Sequence, residues 1–377
     1  MVKISIVMPV YNCENHLNDT LNCIINQTFG DFELICINDG STDNSLDILN
    51  NFAFKDSRIQ IISQENKGPG AARNKGLDVS SGDFLYFIDS DDYIVPNCLE
   101  LLYNNITSNN SDIVFFKVGN IKRNKKVHIN EYFPFDELFT DVDFNKFTFD
   151  YNSIRKYIFN ASFAPWTKFY RKTFLDSYKD FRFDEELPYE DILFHIKIML
   201  RSSKISFVPE YLYYYKIDNP HSVTFDSKSH IEIFKIINSV EDFIKNEHLF
   251  VEFKEEFEYF KNTQIMRHLS NPNDEKYYCI AKSEINSTDF KNNSLSPNSF
   301  KKRCQLFLDS ANYKEYQKNL KILLLKENKH RLKKENNKLK KRNKKLNKEL
   351  DFQKNKKEKL LNSTSWKITT IFRKINR

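Results

Sequence analysis

The chain has 377 residues, 40% of them apolar and 15% aromatic, enough to bury a sizeable core and too apolar for wholesale disorder. Its formal charge of +7 is unevenly placed: residues 326–377 hold 20 Lys and Arg against 5 Asp and Glu, which leaves the preceding 325 residues at −8. That division argues against a nucleic-acid-binding face on the body and marks the basic carboxyl-terminal stretch as an appended interaction segment.

Residues 3–119 alternate between strand-like and helix-like segments. Apolar β-rich runs at 4–9, 32–37, 59–62, 84–88 and 113–116 are separated by amphipathic stretches at about 16–27, 43–54, 69–79 and 96–107. This pattern predicts an α/β fold with a mainly parallel central sheet flanked by helices. Leu17, Leu21, Ile24 and Ile25 have the spacing of a buried helix stripe, and Pro96 suits a helix's first turn. Residues 120–225 are less regular and rich in aromatics, with strand-like runs at 205–208 and 211–217. A helical extension is expected over 226–320.

From 321 to 361 the pattern changes to a basic coiled coil. Leu325, Leu332, Leu339 and Leu346 recur every seven residues, and Ile322, Lys329, Asn336, Asn343 and Leu350 take the other core position. Self-association through this segment is expected. Residues 362–377 form an amphipathic basic tail with Ile368, Ile371, Phe372 and Ile375 on one helical face, suited to peripheral contact with an anionic membrane. No run approaches the roughly 18 apolar residues of a transmembrane helix. The six cysteines form no C-x-x-C pair and fit buried thiols in a reducing cytoplasm.

The chemistry concentrates at the ends of the predicted strands. Phe84-Leu-Tyr-Phe-Ile runs straight into Asp89-Ser90-Asp91-Asp92. Clustered carboxylates repel one another, and a divalent cation relieves the repulsion; all-oxygen ligands suit Mg2+ or Mn2+. The first strand ends Pro9-Val10-Tyr11-Asn12, the second Asn38-Asp39-Gly40, and the third leads into Asn66-Lys67-Gly68-Pro69-Gly70-Ala71-Ala72-Arg73. In an open α/β sheet these loops converge on one crevice. There Tyr11 offers a stacking face, Asp39 an acceptor for a nucleobase or ribose, and Arg73 or Lys67 a cation for phosphate. A dinucleotide-binding dehydrogenase is disfavoured, because Pro9–Asn12 occupies the place of a G-x-G-x-x-G turn.

The run from SIVMPVYN through QTFGDFELICINDGSTDNS and GPGAARNKG to GDFLYFIDSDD resembles the family 2 glycosyltransferases with a GT-A fold, a group that includes bacterial polysaccharide-building enzymes. The likeness is strong over residues 3–100 and continues weakly to about 225. It implies a GT-A domain over 1–225, with a nucleotide-binding half at 1–119 and an acceptor half at 120–225. It also implies an inverting, metal-dependent transfer from a nucleotide-sugar, a UDP-sugar, to a glycan or lipid-linked acceptor on the cytoplasmic side of the membrane.

By the same resemblance Pro9, Val10, Tyr11 and Asp39 bind the nucleotide; Asn66, Gly68, Arg73 and Ser90, in the converging loops, are further candidate contacts to the nucleotide-sugar. Asp89 and Asp91 belong to the metal and diphosphate site, Asp91 being the more direct ligand. Pro188-Tyr189-Glu190-Asp191 resembles the family's ED motif, whose Asp is the catalytic base; the same two acids would also suit a helix amino terminus. Trp166-Thr-Lys168 resembles a W-x-K segment that borders the acceptor pocket, although Trp166 would serve equally as core. His221 stands where similar enzymes carry polar residues near the diphosphate. The alternative is a non-catalytic coiled-coil scaffold that retains a nucleotide-sugar-binding domain.

Overall fold

Alternating apolar segments and polar turns build a nine-stranded sheet in the computed structural model, whose described residues are 2–122, 125–127, 133–216, 227–269, 275–361 and 368–369. The first elements are β1 (Ile4–Val10), α1 (Glu14–Ile25), β2 (Phe32–Asp39), α2 (Ser45–Lys55), β3 (Ile59–Gln64), α3 (Gly68–Val79), β4 (Phe84–Phe87), β5 (Tyr93–Ile94) and α4 (Cys98–Asn109). Next come β6 (Ile113–Lys122), β7 (Lys125–Val127), α5 (Phe135–Leu138), α6 (Arg155–Ile158), β8 (Lys168–Arg171), α7 (Lys172–Asp176), α8 (Glu190–Arg201) and β9 (Ile205–Lys216). Helices α9 (Ile233–Asn246), α10 (Lys254–His268), α11 (Glu275–Glu284), α12 (Ser287–Asn292), α13 (Asn298–Asp309) and α14 (Tyr313–Leu361) follow.

The sheet order is β3-β2-β1-β4-β8-β6-β9-β5, with β7 on β6. Strands β3, β2, β1 and β4 are parallel, so their carboxyl ends share one edge. The short β8 then runs antiparallel to both β4 and β6, and the parallel partner of β6 is β9. The two runs expected at 205–208 and 211–217 are one strand. Register shifts opposite Phe116 and Lys117 carry it past Pro209, which has no N–H to give a ladder. Pro96 lies ahead of α4 rather than in its first turn; its carbonyl accepts from the Thr28 N–H at 2.9 Å.

Strand β1 is apolar on both faces because helices cover both. On one side α1 lays Leu17, Leu21 and Ile24 on the sheet, all fully buried, worth about 1.5–3 kcal/mol each. On the other, α3 comes so close that a Cβ added at Gly76 would lie 2.2 Å from Val7 Cγ1 and 2.9 Å from Cγ2. Valine is stiff at χ1 and cannot swing aside. Gly76→Ala should therefore destabilise the fold by about 1–3 kcal/mol, even though alanine is the better helix former by about 1 kcal/mol. Chemical denaturation checks this, and a variant as stable as the parent would contradict the close packing.

The chain divides into two compact units, Met1–Asn298 and Ser299–Arg377. In the first, the helices after the sheet are tied to α6 by Arg155, which pairs with Glu252 and Glu256, and to α8 by Arg201, which pairs with Glu247 at 2.5 Å. In the second, Phe307 packs edge-on against Tyr316 with ring centroids 5.4 Å apart, and α14 continues as a single helix. Among the described residues no helix is long and apolar enough to cross a membrane. His221 and, apart from residues 368–369, the tail over 362–377 lie outside the described residues.

Candidate active site

The loops after β1 and β2 are stitched together by short polar side chains. Asn12, at a positive φ of 47°, accepts from the Thr42 N–H at 2.8 Å and donates its own N–H to Ser41 Oγ at 3.2 Å. Cys13 N–H donates to Ser45 Oγ at 2.9 Å. This frame leaves Tyr11 standing out at 52% exposed, while Pro9 is half-buried and Val10 fully buried. Asp39 is nearly inaccessible. Its Oδ1 accepts from Gln64 Nε2 and the Lys67 N–H, and its Oδ2 from the Gly68 N–H, all at 2.8–2.9 Å. Asp39 therefore holds the amino terminus of α3 against the end of β2, and the Asn66 and Lys67 side chains remain exposed beside it.

At the end of β4 the three acids take different environments. Asp89, Ser90 and Asp91 are half-buried, whereas Asp92 is 2% exposed. Asp92 accepts from the Tyr213 hydroxyl and from the Lys216 N–H at 2.8 Å, anchoring β9. Burial, and then the neighbouring Asp91 and Asp89, push the Asp92 carboxyl well above the usual carboxylate range. The Ser90 carbonyl accepts from Cys13 Sγ at 3.2 Å, tying this corner to the β1 loop. Asp89 and Asp91 thus keep part of their surface accessible, unlike Asp92. Two partly exposed carboxylates fit a hard divalent cation. Among the described residues no third His, Cys, Asp or Glu joins them in a closed site, so ligand oxygens and water would complete the coordination.

Helix α3 links this corner to α8. Gly70, Arg73 and Asn74 share one face at i, i+3 and i+4. A Cβ at Gly70 would sit 2.3 Å from the Asp184 carbonyl oxygen, so only glycine permits the approach. Asn74 clamps Phe183 in both directions: its Nδ2 donates to the Phe183 carbonyl at 2.9 Å and its Oδ1 accepts from the Phe183 N–H at 3.0 Å. Arg73, 7% exposed, donates from Nη2 to Asp89 Oδ1 at 3.0 Å and from Nη1 to Glu190 Oε1 at 2.6 Å. Its Nε has no partner among the described residues. The sequence suggested Arg73 as a phosphate contact; here its guanidinium is occupied by two carboxylates.

Glu190 and Asp191 open α8, as the helix-start reading expects. Tyr189, in the left-handed region at φ 63°, turns the chain into that helix. Burial, then the Glu190 carboxylate beside it, pushes the Asp191 carboxyl up to about 7, with Arg73 and Lys168 pulling the other way. Lys168 is 1% exposed, and its Nζ donates to the Ala164 carbonyl at 3.0 Å and the Thr167 hydroxyl at 2.8 Å. Burial brings its ammonium down to about 7, opposed by Asp191. Trp166 is core: it stacks on Tyr213 at 4.6 Å and on Tyr215 at 5.6 Å, with rings within 10° of parallel. The clamp made by Arg73 and Asn74 was not read from the sequence, although their adjacency in a glycine-spaced helix start was its visible signal.

Residues 5–177 match the model of the family described as Glycosyl transferase family 2. Glycosyltransferase GlyG of Streptococcus pneumoniae serotype 4 is 31% identical over 221 residues, which are 56% of this chain and 70% of that protein. The chain belongs to glycosyl transferase family 2. A poly(ribitol-phosphate) beta-glucosyltransferase of Bacillus spizizenii is 34% identical over 226 residues, 58% of this chain and 33% of the relative. The chain spans about a third of the length of that relative and of GlyA from the same S. pneumoniae. Among solved structures, S. aureus TarS has the same GT-A kind of fold, with a TM-score of 0.57, 22% identity and coverage of 81% of this chain and 52% of TarS. Its 1–349 portion, solved in complex with UDP-GlcNAc, aligns with a TM-score of 0.50 at 21% identity over 84% of this chain and 89% of that one.

Proposed function

We propose that this family 2 member transfers a sugar from a nucleotide-diphospho-sugar to a hydroxyl of a glycan or lipid-linked acceptor, with inversion, in the synthesis of a surface polysaccharide or glycolipid from the cytoplasmic side. The observation that carries the reading is the buried Arg73, which bridges Asp89 at the end of β4 to Glu190 at the start of α8, with Asp191 close enough to act on the same guanidinium. The domain limits follow the site: residues 1–119 hold the donor loops, and the acid at 191 lies on the acceptor half.

In this reading Tyr11 stacks on the base of the nucleotide, and Asp39 sets the α3 amino terminus beneath it. Asp89 and Asp91 hold Mg2+ or Mn2+, which supplies positive charge next to the diphosphate when bound. Asp191 takes the proton from the acceptor hydroxyl as the new glycosidic bond forms. Attack from the face opposite the departing diphosphate inverts the anomeric carbon. Lys168 holds the 162–167 turn and lies within electrostatic reach of Asp191. UDP-sugars come first among donors to test, because TarS has been solved with one.

A ligand that binds only the folded state raises the melting temperature by mass action. Thermal shifts with a panel of nucleotide diphosphates and their sugars, each with and without Mn2+ or Mg2+, should show stabilisation by one nucleotide class that needs the ion. Asp91→Ala should abolish the ion-dependent part. No shift with any nucleotide in folded protein would favour a scaffold without a donor site.

A further inference from the structure

The heptad leucines of α14 have no cover. Leu325, Leu332, Leu339 and Leu346 are 53–62% exposed, and Ile322 and Leu350 beside them are 43% and 53% exposed. We infer that α14 pairs with α14 of a second copy of this chain, as a parallel, in-register, two-stranded coiled coil. Self-pairing follows from what surrounds the leucines rather than from the leucines alone.

Three features decide the partner, its direction and its number. With the leucines at one core position, Asn336 and Asn343 fall at the other. A buried asparagine finds a hydrogen-bonding partner in the coil when the same asparagine faces it, which requires a like helix in register. The flanking positions then set direction. In parallel register Glu335 meets Lys340 of the second copy and Glu349 meets Lys354, both attractive; Asn328 meets Lys333 and Arg342 meets Asn347, neither repulsive. Two like-charge contacts oppose this, Lys321 against Lys326 on the flank and Lys329 against its own copy in the core, both towards the amino-terminal end. Reversing one helix instead sets the Lys326, Lys333, Lys340 and Lys354 edge against its own copy. Finally, the core residues set the number: a core with asparagine at one position and leucine at the other lacks the isoleucine patterns that shift pairing to three or four strands. The strict two-position seam suits two strands.

The pairing tethers two amino-terminal units to one coil, so an acceptor chain that leaves one site meets a second at raised local concentration. The inference does not depend on the transferase reading, because none of these residues belongs to the site.

Sedimentation equilibrium of the full-length chain tests it. The expected result is the mass of two chains. Leu332→Lys with Leu339→Lys should give a monomer that loses part of the far-UV helical signal of α14, since the pairing is its cover, while the thermal unfolding of the amino-terminal unit is unchanged. Glu335→Lys alone and Lys340→Glu alone should each raise the dissociation constant about 2- to 10-fold, while the two together restore it. A monomer at all concentrations or a three-chain mass would overturn the inference. So would a dimer that survives the leucine changes, or a charge-swapped double variant no tighter than either single one.

Discussion

Asp191→Asn should lower kcat by roughly 10²- to 10⁴-fold, the range that a positioned general base contributes, while the donor's dissociation constant stays within about threefold of the parent value. Asparagine keeps the shape and the helix-start position of Asp191 and loses only the capacity to take a proton. The donor loops at Tyr11, Asp39 and Asn66 are built on β1, β2 and β3 and owe nothing to this carboxylate. The same residue fixes the pH dependence. A base works only when ionised, and burial with Glu190 alongside pushes the Asp191 carboxyl up to about 7. Below that value kcat/KM should fall about tenfold per pH unit, far above the limb near 4 of an ordinary carboxylate. A variant within about tenfold of the parent kcat, or a profile flat down to pH 5, would remove Asp191 from the role of base.

What could be read in the sequence is what local pattern determines. The first four strands and the helices between them follow from apolar runs bounded by Gly, Pro, Asn and Asp, and their carboxyl-end loops fall where parallel topology must put them. The strand ending in Asp89-Ser90-Asp91 is visible for the same reason. What could not be read is who occupies each polar atom. Asp39 is an acceptor in any reading, but that the Lys67 and Gly68 N–H groups take its oxygens depends on where α3 begins. Arg73 meets Glu190 from 117 positions away, and no local pattern encodes that pairing. Strand β8 is four residues inside an irregular aromatic stretch, too short for periodicity to show. Trp166 was open between pocket and core until Tyr213 and Tyr215 were brought over it by β9.

The long-range pairings matter more for function than the local ones. Asp89 sits on a strand end and Asp191 on a helix start that the sequence separates widely, and the proposed reaction asks both to address one small volume. Their separation is set by α3, which is packed against β1 at Gly76 and against the 183–190 loop at Gly70 and Asn74. In the proposed reaction this helix would hold the reacting groups in place before any ligand arrives, which is where much of the advantage of an active site originates.

Arg73→Met should therefore be among the most damaging single changes in the chain, costing about 3–5 kcal/mol of stability. Methionine preserves much of the buried volume, so the loss reflects charge rather than a cavity. Removing the guanidinium strands Asp89 and Glu190, whose side chains are 29% and 15% exposed, without their shared cation. Arg73→Lys should recover only part of this, because an ammonium has no fork to span both acids. Adding Glu190→Gln to Arg73→Met should restore stability relative to Arg73→Met alone, since it deletes one of the uncompensated charges. The pH profile gives a separate readout. Arg73 helps keep the Asp191 carboxyl from rising further, so without it the limb of kcat/KM should move to higher pH. Thermal denaturation of the three variants and the pH profile of Arg73→Met, measured below its melting temperature, check these effects. A loss under about 1 kcal/mol in Arg73→Met, or a limb that moves to lower pH, would mean that the two acids are not held by this arginine.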